Sequence, residues 1–429
     1  MARLNGGYAE PPHAAPVVQK YGGSSLTTLD QVRSVAERTA VRHRTGTRVV
    51  LVVSARGNST DDLLALAREV GAATPGREVD QLLGTGESAS SALLALAVQS
   101  AGVPALSLTG EQTGILASGA HGRGTIVAVD TEPITRVLDS GAVAVVAGFQ
   151  GVNERRDIIT LGRGGSDTTA VAIAAELGAD HCEIHTDVQG VYTADPRLVP
   201  EASRIPRIDV DVMAEMSLAG AKVLHSRAVD LAAAHAVDIH VLHNQRPGPG
   251  TFVAARNDTR RDMLESSGLV MSVMADRQVA RIDLRLADKD ATAQLFDFFA
   301  RKSVLADMTT LHDVDGGVHV SATVGSADVE AVRSYAQSSL DAARVEVGDD
   351  IAKISLVGQA LLSSPECAAR ALRRLRRSGI SANAVSTSQL RISITVPAAE
   401  ATRATRLLHR EFELDSRNTD HGSPSPVPV

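Results

Sequence analysis

Lys20 stands where a β-rich run meets glycines and hydroxyls, in Val17-Val18-Gln19-Lys20-Tyr21-Gly22-Gly23-Ser24-Ser25. Glycine pairs let backbone N–H groups approach a polyanion, and a helix N-terminus adds a favourable dipole. An ammonium would supply a compact charge to a transferring phosphoryl group. A plain strand-to-helix turn gives the same residues, and no Walker A pattern occurs in the chain. Only five of the 43 cationic residues are lysine, so each invites the question of whether a compact ammonium is needed. A second stretch, Thr160-Leu161-Gly162-Arg163-Gly164-Gly165-Ser166-Asp167-Thr168-Thr169-Ala170, puts three glycines and an arginine before an alanine-rich helix. That suits a grip on a carboxylate or phosphate by backbone amides and the Arg163 fork. Ser166 and Asp167 also read as a helix cap, but a cap needs neither the glycines nor the arginine.

Three more segments carry polar residues that could act. The stretch 186–197, Thr186-Asp187-Val188-Gln189-Gly190-Val191-Tyr192-Thr193-Ala194-Asp195-Pro196-Arg197, reads as a loop beyond a strand, where α/β folds bind ligands, or as a surface excursion stopped by Pro196. Lys222 lies in the small-residue run Gly220-Ala221-Lys222-Val223-Leu224-His225, where a solvated helical lysine is the plain reading. Glu87, in Thr85-Gly86-Glu87-Ser88, follows a glycine turn at the head of a helix, and capping alone accounts for it.

The elements that must hold these segments follow from pattern. Val49-Val50-Leu51-Val52-Val53 is a wholly apolar strand, 143–148 another, and 182–185 a third. Helical stretches cover 29–40, 90–99 and 168–177. Strands alternating with helices predict an α/β sheet covered on both faces. Arg246-Pro247-Gly248-Pro249-Gly250 breaks any element and marks the end of this first domain. Beyond it the order changes to strand 279–286, helix 291–300, strand 318–324, then strand 352–357, helix 367–377, strand 390–396. That is a weak internal repeat of about 70 residues, read as two tandem α/β copies.

Composition narrows the class. The 429 residues carry 44% hydrophobic and 22% charged side chains and a net charge of -7, ordinary for a globular protein of two or three domains. No basic excess exists to neutralise a nucleic-acid backbone. Two distant cysteines exclude a disulfide scaffold and suit a reducing cytoplasmic setting. No apolar run approaches a membrane span.

Taken together and in order, these motifs resemble the aspartate kinases of the amino-acid kinase superfamily. The K-[FY]-G-G-[ST]-S opening, the L-G-R-G-G-S-D-T-T-A turn, the D-V-x-G-V-Y-T-A-D-P-R loop and G-A-K-V-L-H are not shared together by glutamate, uridylate or carbamate kinases. Val146-Ala147-Gly148-Phe149-Gln150-Gly151-Val152 and Ser386-Thr387-Ser388 look like the actinobacterial form. The resemblance spans about residues 17–414. It implies an amino-acid-kinase fold over 16–250 and two ACT-type βαββαβ units over 268–345 and 350–415; residues 1–15 and 416–429, rich in Pro, Gly, Ala, Ser and Asn, read as disordered tails.

The resemblance also implies roles, residue by residue. Lys20, Gly22 and Gly23 match the phosphate-binding opening, with Lys20 and Asp167 as the catalytic pair. Ser54, Thr60, Glu87, Arg163, Gly164, Gly165 and Ser166 match substrate positions, Glu87 for the amino group and Arg163 for the carboxylate. Thr186, Asp187, Tyr192, Arg197 and Lys222 match nucleotide contacts. The implied cofactor is ATP with Mg2+, the implied partners are L-aspartate and further copies of the chain held through ACT domains, with neither nucleic acid nor membrane. Gln189, Ser226, Arg56 and Ser88 depart from the usual residues, which bears on affinity rather than on reaction class. The ACT copies depart further. Asp290-Ala291 and Pro365-Glu366 replace the usual Pro-Gly, and Leu305 and Ser381 stand where an asparagine is usual. The resulting expectation is a kinase weakly or not at all inhibited by lysine and threonine. Two alternatives stay open at this point: a paralogue acting on a different acidic amino acid, and a non-catalytic regulatory paralogue.

Overall fold

The computed structural model describes residues 15–72, 75–255, 269–340, 342 and 344–415. The expected tails, apart from residue 15, lie outside the described residues. The chain forms two compact units. One takes Met1–Val191, Pro206–Ala214 and Val223–Thr259, and the other takes Tyr192–Ile205, Glu215–Lys222 and Arg260–Val429. Residues 192–205 and 215–222, expected inside the catalytic domain, therefore cluster with the C-terminal unit.

The first unit is built on an eight-stranded sheet. Its order runs 207–209, 251–254, 238–243, 181–186, 17–21, 49–53, 143–147, 105–108. All neighbours are parallel except 238–243 with 251–254. Every residue of Val49–Val53 and Val143–Ala147 is buried, as continuous apolar runs between two helical layers require. Helices Leu29–Arg44 and Arg77–Ser100 pack on one face, burying Val32, Val35, Leu94 and Val98 with Leu51 and Val145. A second sheet, ordered 125–129, 115–118, 150–152, 158–160, stands beside it.

The C-terminal unit holds two four-stranded sheets, and their wiring departs from two tandem copies. Residues 279–348 form a complete βαββαβ unit, with strand order 307–314, 317–325, 279–286, 344–348. The second sheet has the order 269–276, 351–359, 391–397, 384–387. Strand Leu269–Asp276, expected in the first copy, thus fills the fourth-strand place of the second, pairing antiparallel with Ile351–Gln359. Its Val270 and Val273 join the core made by Ile354, Ile392, Leu375 and Leu408. An alternating apolar pattern specifies which face a strand buries, not which sheet it joins. Among the described residues no helix is long and apolar enough to cross a membrane.

Candidate active site

Strand Val17–Tyr21 lies between Val49–Val53 and His181–Thr186, with Lys20 level with Val52 and Ile184. The strands that continue the chain leave in opposite directions from this central strand. The carboxyl ends at such a point leave a crevice, which is where open α/β sheets take ligands. Lys20, Gly22, Gly23, Ser54, Thr186 and Asp187 all sit at those ends. The Ser54 N–H donates to the Tyr21 carbonyl at 3.1 Å and Gly57 N–H to the Gly23 carbonyl at 3.0 Å, joining the loops after the first two strands. Thr60 lies in the first turn of helix Ser59–Glu69, beyond that second loop.

The Lys20 ammonium lies 2.6 Å from Asp167 Oδ1, with both side chains only 13% and 12% exposed. Asp167 belongs to the first turn of helix Gly165–Glu176. The cap reading of Ser166 and Asp167 is corrected here: Gly164 is the N-cap, and no side chain caps the helix. The amide end of this helix is thus left for an external anion. Gly164 adopts φ +70°, and a Cβ there would overlap the imidazole of His225. Burial lowers the His225 pKa, and its buried Nδ1 has no partner. Arg163, exposed, projects from the turn between Gly162 and Gly164. Arg227 anchors that turn from helix Ser226–His235, donating to the Leu161 carbonyl at 2.5 Å and the Gly124 carbonyl at 2.9 Å.

Glu87 requires a correction. It does not follow a turn at a helix head; it lies in the middle of the continuous helix Arg77–Ser100. Gly86 serves close approach instead, since a Cβ there would come within 2.9 Å of the Ala55 Cβ. The glycine lets the loop after Val49–Val53 press on the helix, where the Ala55 N–H donates to Glu87 Oε1 at 3.0 Å. Glu87 is 3% exposed, and its Oε2 is buried without a partner. Burial pushes its pKa up to about 7, against a partial lowering by the Ala55 amide. An uncompensated buried carboxylate oxygen is an acceptor awaiting a donor.

Behind the crevice the sheet is tied by a polar network that sequence reasoning missed. Glu183 accepts from Gln19 Nε2 at 2.6 Å and Arg42 Nη1 at 2.7 Å. Burial alone would raise its pKa, but hydrogen bonding by His181, His185 and Gln19, with the Arg42 charge, holds it well below the carboxylate range. His185, next to Thr186, stacks on Tyr21 with ring centroids 4.4 Å apart. Alternation puts Gln19 and Tyr21 on the face opposite Lys20, so the same short strand carries the ammonium on one side and its support on the other.

Tyr192, Arg197 and Lys222 belong to the second compact unit. Tyr192 bridges to Arg204, and Thr193 Oγ1 lies 2.9 Å from His409 Nε2. Arg197 pairs with Asp195 at 2.8 Å, and its hydrogen bond lowers the Asp195 pKa. Lys222 is exposed in the loop between helices Val210–Leu218 and Ser226–His235, not on a helix as its sequence suggested. Of the unusual residues, Arg56 donates to the Leu26 and Thr27 carbonyls and Ser88 to the Gly84 carbonyl, so both serve local structure.

An ammonium, an uncapped helix end and a starved carboxylate are the groups that small anionic and zwitterionic ligands require. The amino acid kinase family pattern matches residues 15–243, and an ACT domain pattern matches 354–412. The chain is 40% identical over 411 residues to the aspartokinase of Corynebacterium efficiens, covering 93% of this chain and 96% of that one. It is 41% identical over 412 residues to the aspartokinase of Thermus thermophilus, with 94% and 99% covered. The solved aspartate kinase of Synechocystis is 34% identical with a TM-score of 0.52, over 93% of this chain and 69% of that one. Escherichia coli aspartokinase III, solved with aspartate and ADP, is 23% identical with a TM-score of 0.77 over 92% of this chain and 99% of that one, a likeness of fold. The chain belongs to the aspartokinase family, as an amino-acid kinase domain with a C-terminal ACT region.

Proposed function

We propose that the chain transfers the γ-phosphoryl group of MgATP to the side-chain carboxylate of L-aspartate, giving 4-phospho-L-aspartate and ADP. The observation that carries this reading is the Lys20–Asp167 pair, 2.6 Å apart, beside an uncapped helix end. A carboxylate nucleophile is already ionised at neutral pH, so no general base is required. One carboxylate oxygen forms the new bond to phosphorus while the bond from phosphorus to the β–γ bridging oxygen breaks. Catalysis is then positioning and cancellation of charge between two anions. Lys20 supplies charge to the transferred group, and Asp167 holds the ammonium in place. Glu87 takes the substrate ammonium on its unpartnered oxygen, and Arg163 takes a substrate carboxylate. Gly22, Gly23, Thr186 and Asp187 serve the nucleotide, and Ser54, Thr60 and Ser166 line the acceptor side. Mg2+ bound with ATP would supply charge that offsets the phosphates.

A coupled ADP-release assay tests the reading. Turnover with aspartate, and little with glutamate or without acceptor, is the expected result; equal turnover in all three would overturn it. Arg163→Lys should raise the aspartate KM at least tenfold and leave the ATP KM within twofold, because a point ammonium does not replace a bidentate fork. A rise in the ATP KM alone would move the turn to the other ligand.

Lysine and threonine, singly or together, should change the rate less than twofold at millimolar concentration. In the first ACT-like unit, Asp288 already caps helix Lys289–Lys302, accepting from Ala291 N–H at 2.8 Å where an effector would seek backbone amides. Leu305, in place of an asparagine, is 72% exposed and offers no hydrogen bond. An effector shifts an equilibrium only by its differential affinity. Strong inhibition by either amino acid would reject this. Association of copies through the ACT region is supported by the edge strand Asp307–Val314, whose residues 309–314 are all exposed.

A further inference from the structure

Asp80 lies in the first turn of helix Arg77–Ser100 and is 0% exposed. Among the described residues no arginine or lysine pairs with it. Its carboxylate instead gathers donors from two other segments. Oδ1 accepts from Thr160 Oγ1 at 2.6 Å, and Oδ2 accepts from Thr160 N–H at 3.0 Å and Gly122 N–H at 3.1 Å. His121 Nδ1 lies 2.8 Å from Oδ2. Burying a carboxylate with no arginine or lysine partner is costly, and an apolar side chain would fill the space more cheaply. The group therefore marks a place where geometry matters more than stability.

What it fixes is the base of the Arg163 turn. Thr160 is held at both its amide and its hydroxyl by one carboxylate, and its carbonyl accepts from Gly124 N–H at 2.8 Å. Arg227 grips the next carbonyl, that of Leu161. Arg163 itself stands between Gly162 and Gly164, both at positive φ, +73° and +70°. Glycine hinges have little stiffness of their own. The direction of Arg163 then depends on how firmly Thr160 and Leu161 are held. Glu87 lies seven residues after Asp80 on the same helix, two turns along and on the same side, about 10 Å up the axis. One rigid helix thus bears the group facing the substrate ammonium and the group that anchors the arginine facing a substrate carboxylate.

We infer that Asp80 is a positioning residue for acceptor binding, acting through Thr160 on Arg163 and setting the spacing between the two ends of the amino acid. The inference rests on the assignment of Arg163 to a substrate carboxylate. Asp80→Asn keeps the shape but replaces one acceptor oxygen by a donor. In the full-length protein it should raise the aspartate KM at least tenfold, keep the ATP KM within twofold, and narrow the preference for aspartate over glutamate. Because it acts through Arg163, the double variant Asp80→Asn/Arg163→Lys should have the aspartate KM of Arg163→Lys alone, within twofold. An unchanged aspartate KM, an equal rise in both KM values, or multiplicative effects in the double variant would each overturn the inference. Should Asp80→Asn not fold, Thr160→Val removes only the 2.6 Å bond and is judged by the same split of KM values, with a threefold rise for aspartate expected. Arg163→Lys run alongside separates the two layers. If it raises the aspartate KM while Asp80→Asn does not, only the present inference falls; if it raises the ATP KM instead, the assignment beneath falls.

Discussion

Lys20→Ala should yield a folded protein whose kcat is at least a hundredfold lower, a loss of about 2.7 kcal/mol or more of transition-state stabilisation. Two effects add. The ammonium that offsets charge on the transferred phosphoryl disappears. Asp167, 2.6 Å away in the parent, is also left as an uncompensated anion at the same spot and repels the nucleotide phosphates. The fold should survive, because Lys20 is half-buried at a strand end while the flanking Val18 and Tyr21 make the core contacts. Adding Asp167→Ala should restore part of the ATP affinity but not kcat. Single-turnover kinetics on the purified variants decide it, and near-parent kcat in Lys20→Ala would remove this residue from the chemistry.

The second large effect is a pH dependence carried by Glu87. Burial raises its carboxyl from 4.5 to about 7. A carboxyl that is protonated cannot accept the charge-assisted bond from a substrate ammonium. The aspartate KM should therefore climb about tenfold per pH unit as pH falls below about 7, and be flat above it. Glu87→Gln should show a raised aspartate KM with no such slope. The stability effect has the opposite sense. Since the folded pKa lies above the unfolded one, the native state binds more protons between pH 4.5 and about 7, and stability falls as pH rises through that window. The glutamine variant escapes this fall and should be more stable than the parent at pH 8 by about 1–3 kcal/mol. A variant that binds aspartate normally at pH 8 would show that the buried oxygen serves some other purpose.

The contrast between these residues and Asp80 explains what the sequence reveals. Lys20, Arg163 and their glycines are legible because they break the local grammar of strand and helix. The central strands are legible because Val49–Val53 has no polar face at all. Glu87 stands out as a carboxylate beside glycine, yet its setting is misread, because Gly86 suggests a turn when its purpose is contact with Ala55. Asp80 and Arg227 give no signal: an acid in the first turn of a helix and an arginine in the first turn of another look like ordinary solvated charges. Their partners, Thr160 and Leu161, lie 80 and 66 residues away, a separation that no local pattern encodes.

The placement of strand Leu269–Asp276 makes the first ACT-like unit an insertion within the second. Asp276 and Lys353 are direct neighbours across the antiparallel ladder, so the chain departs and returns through points about 5 Å apart. Whatever lies between them is, in engineering terms, a cassette. Replacing residues 277–350 by a tight hairpin, or by another domain with adjacent termini, cuts no strand of the second sheet, but it removes Asp307, which pairs with the buried Lys353 at 2.8 Å, so the substitute must carry a carboxylate there. A ligand-responsive insert at that junction would feed its motion into the two strands that form the junction, so this chain offers a natural socket for a synthetic sensor.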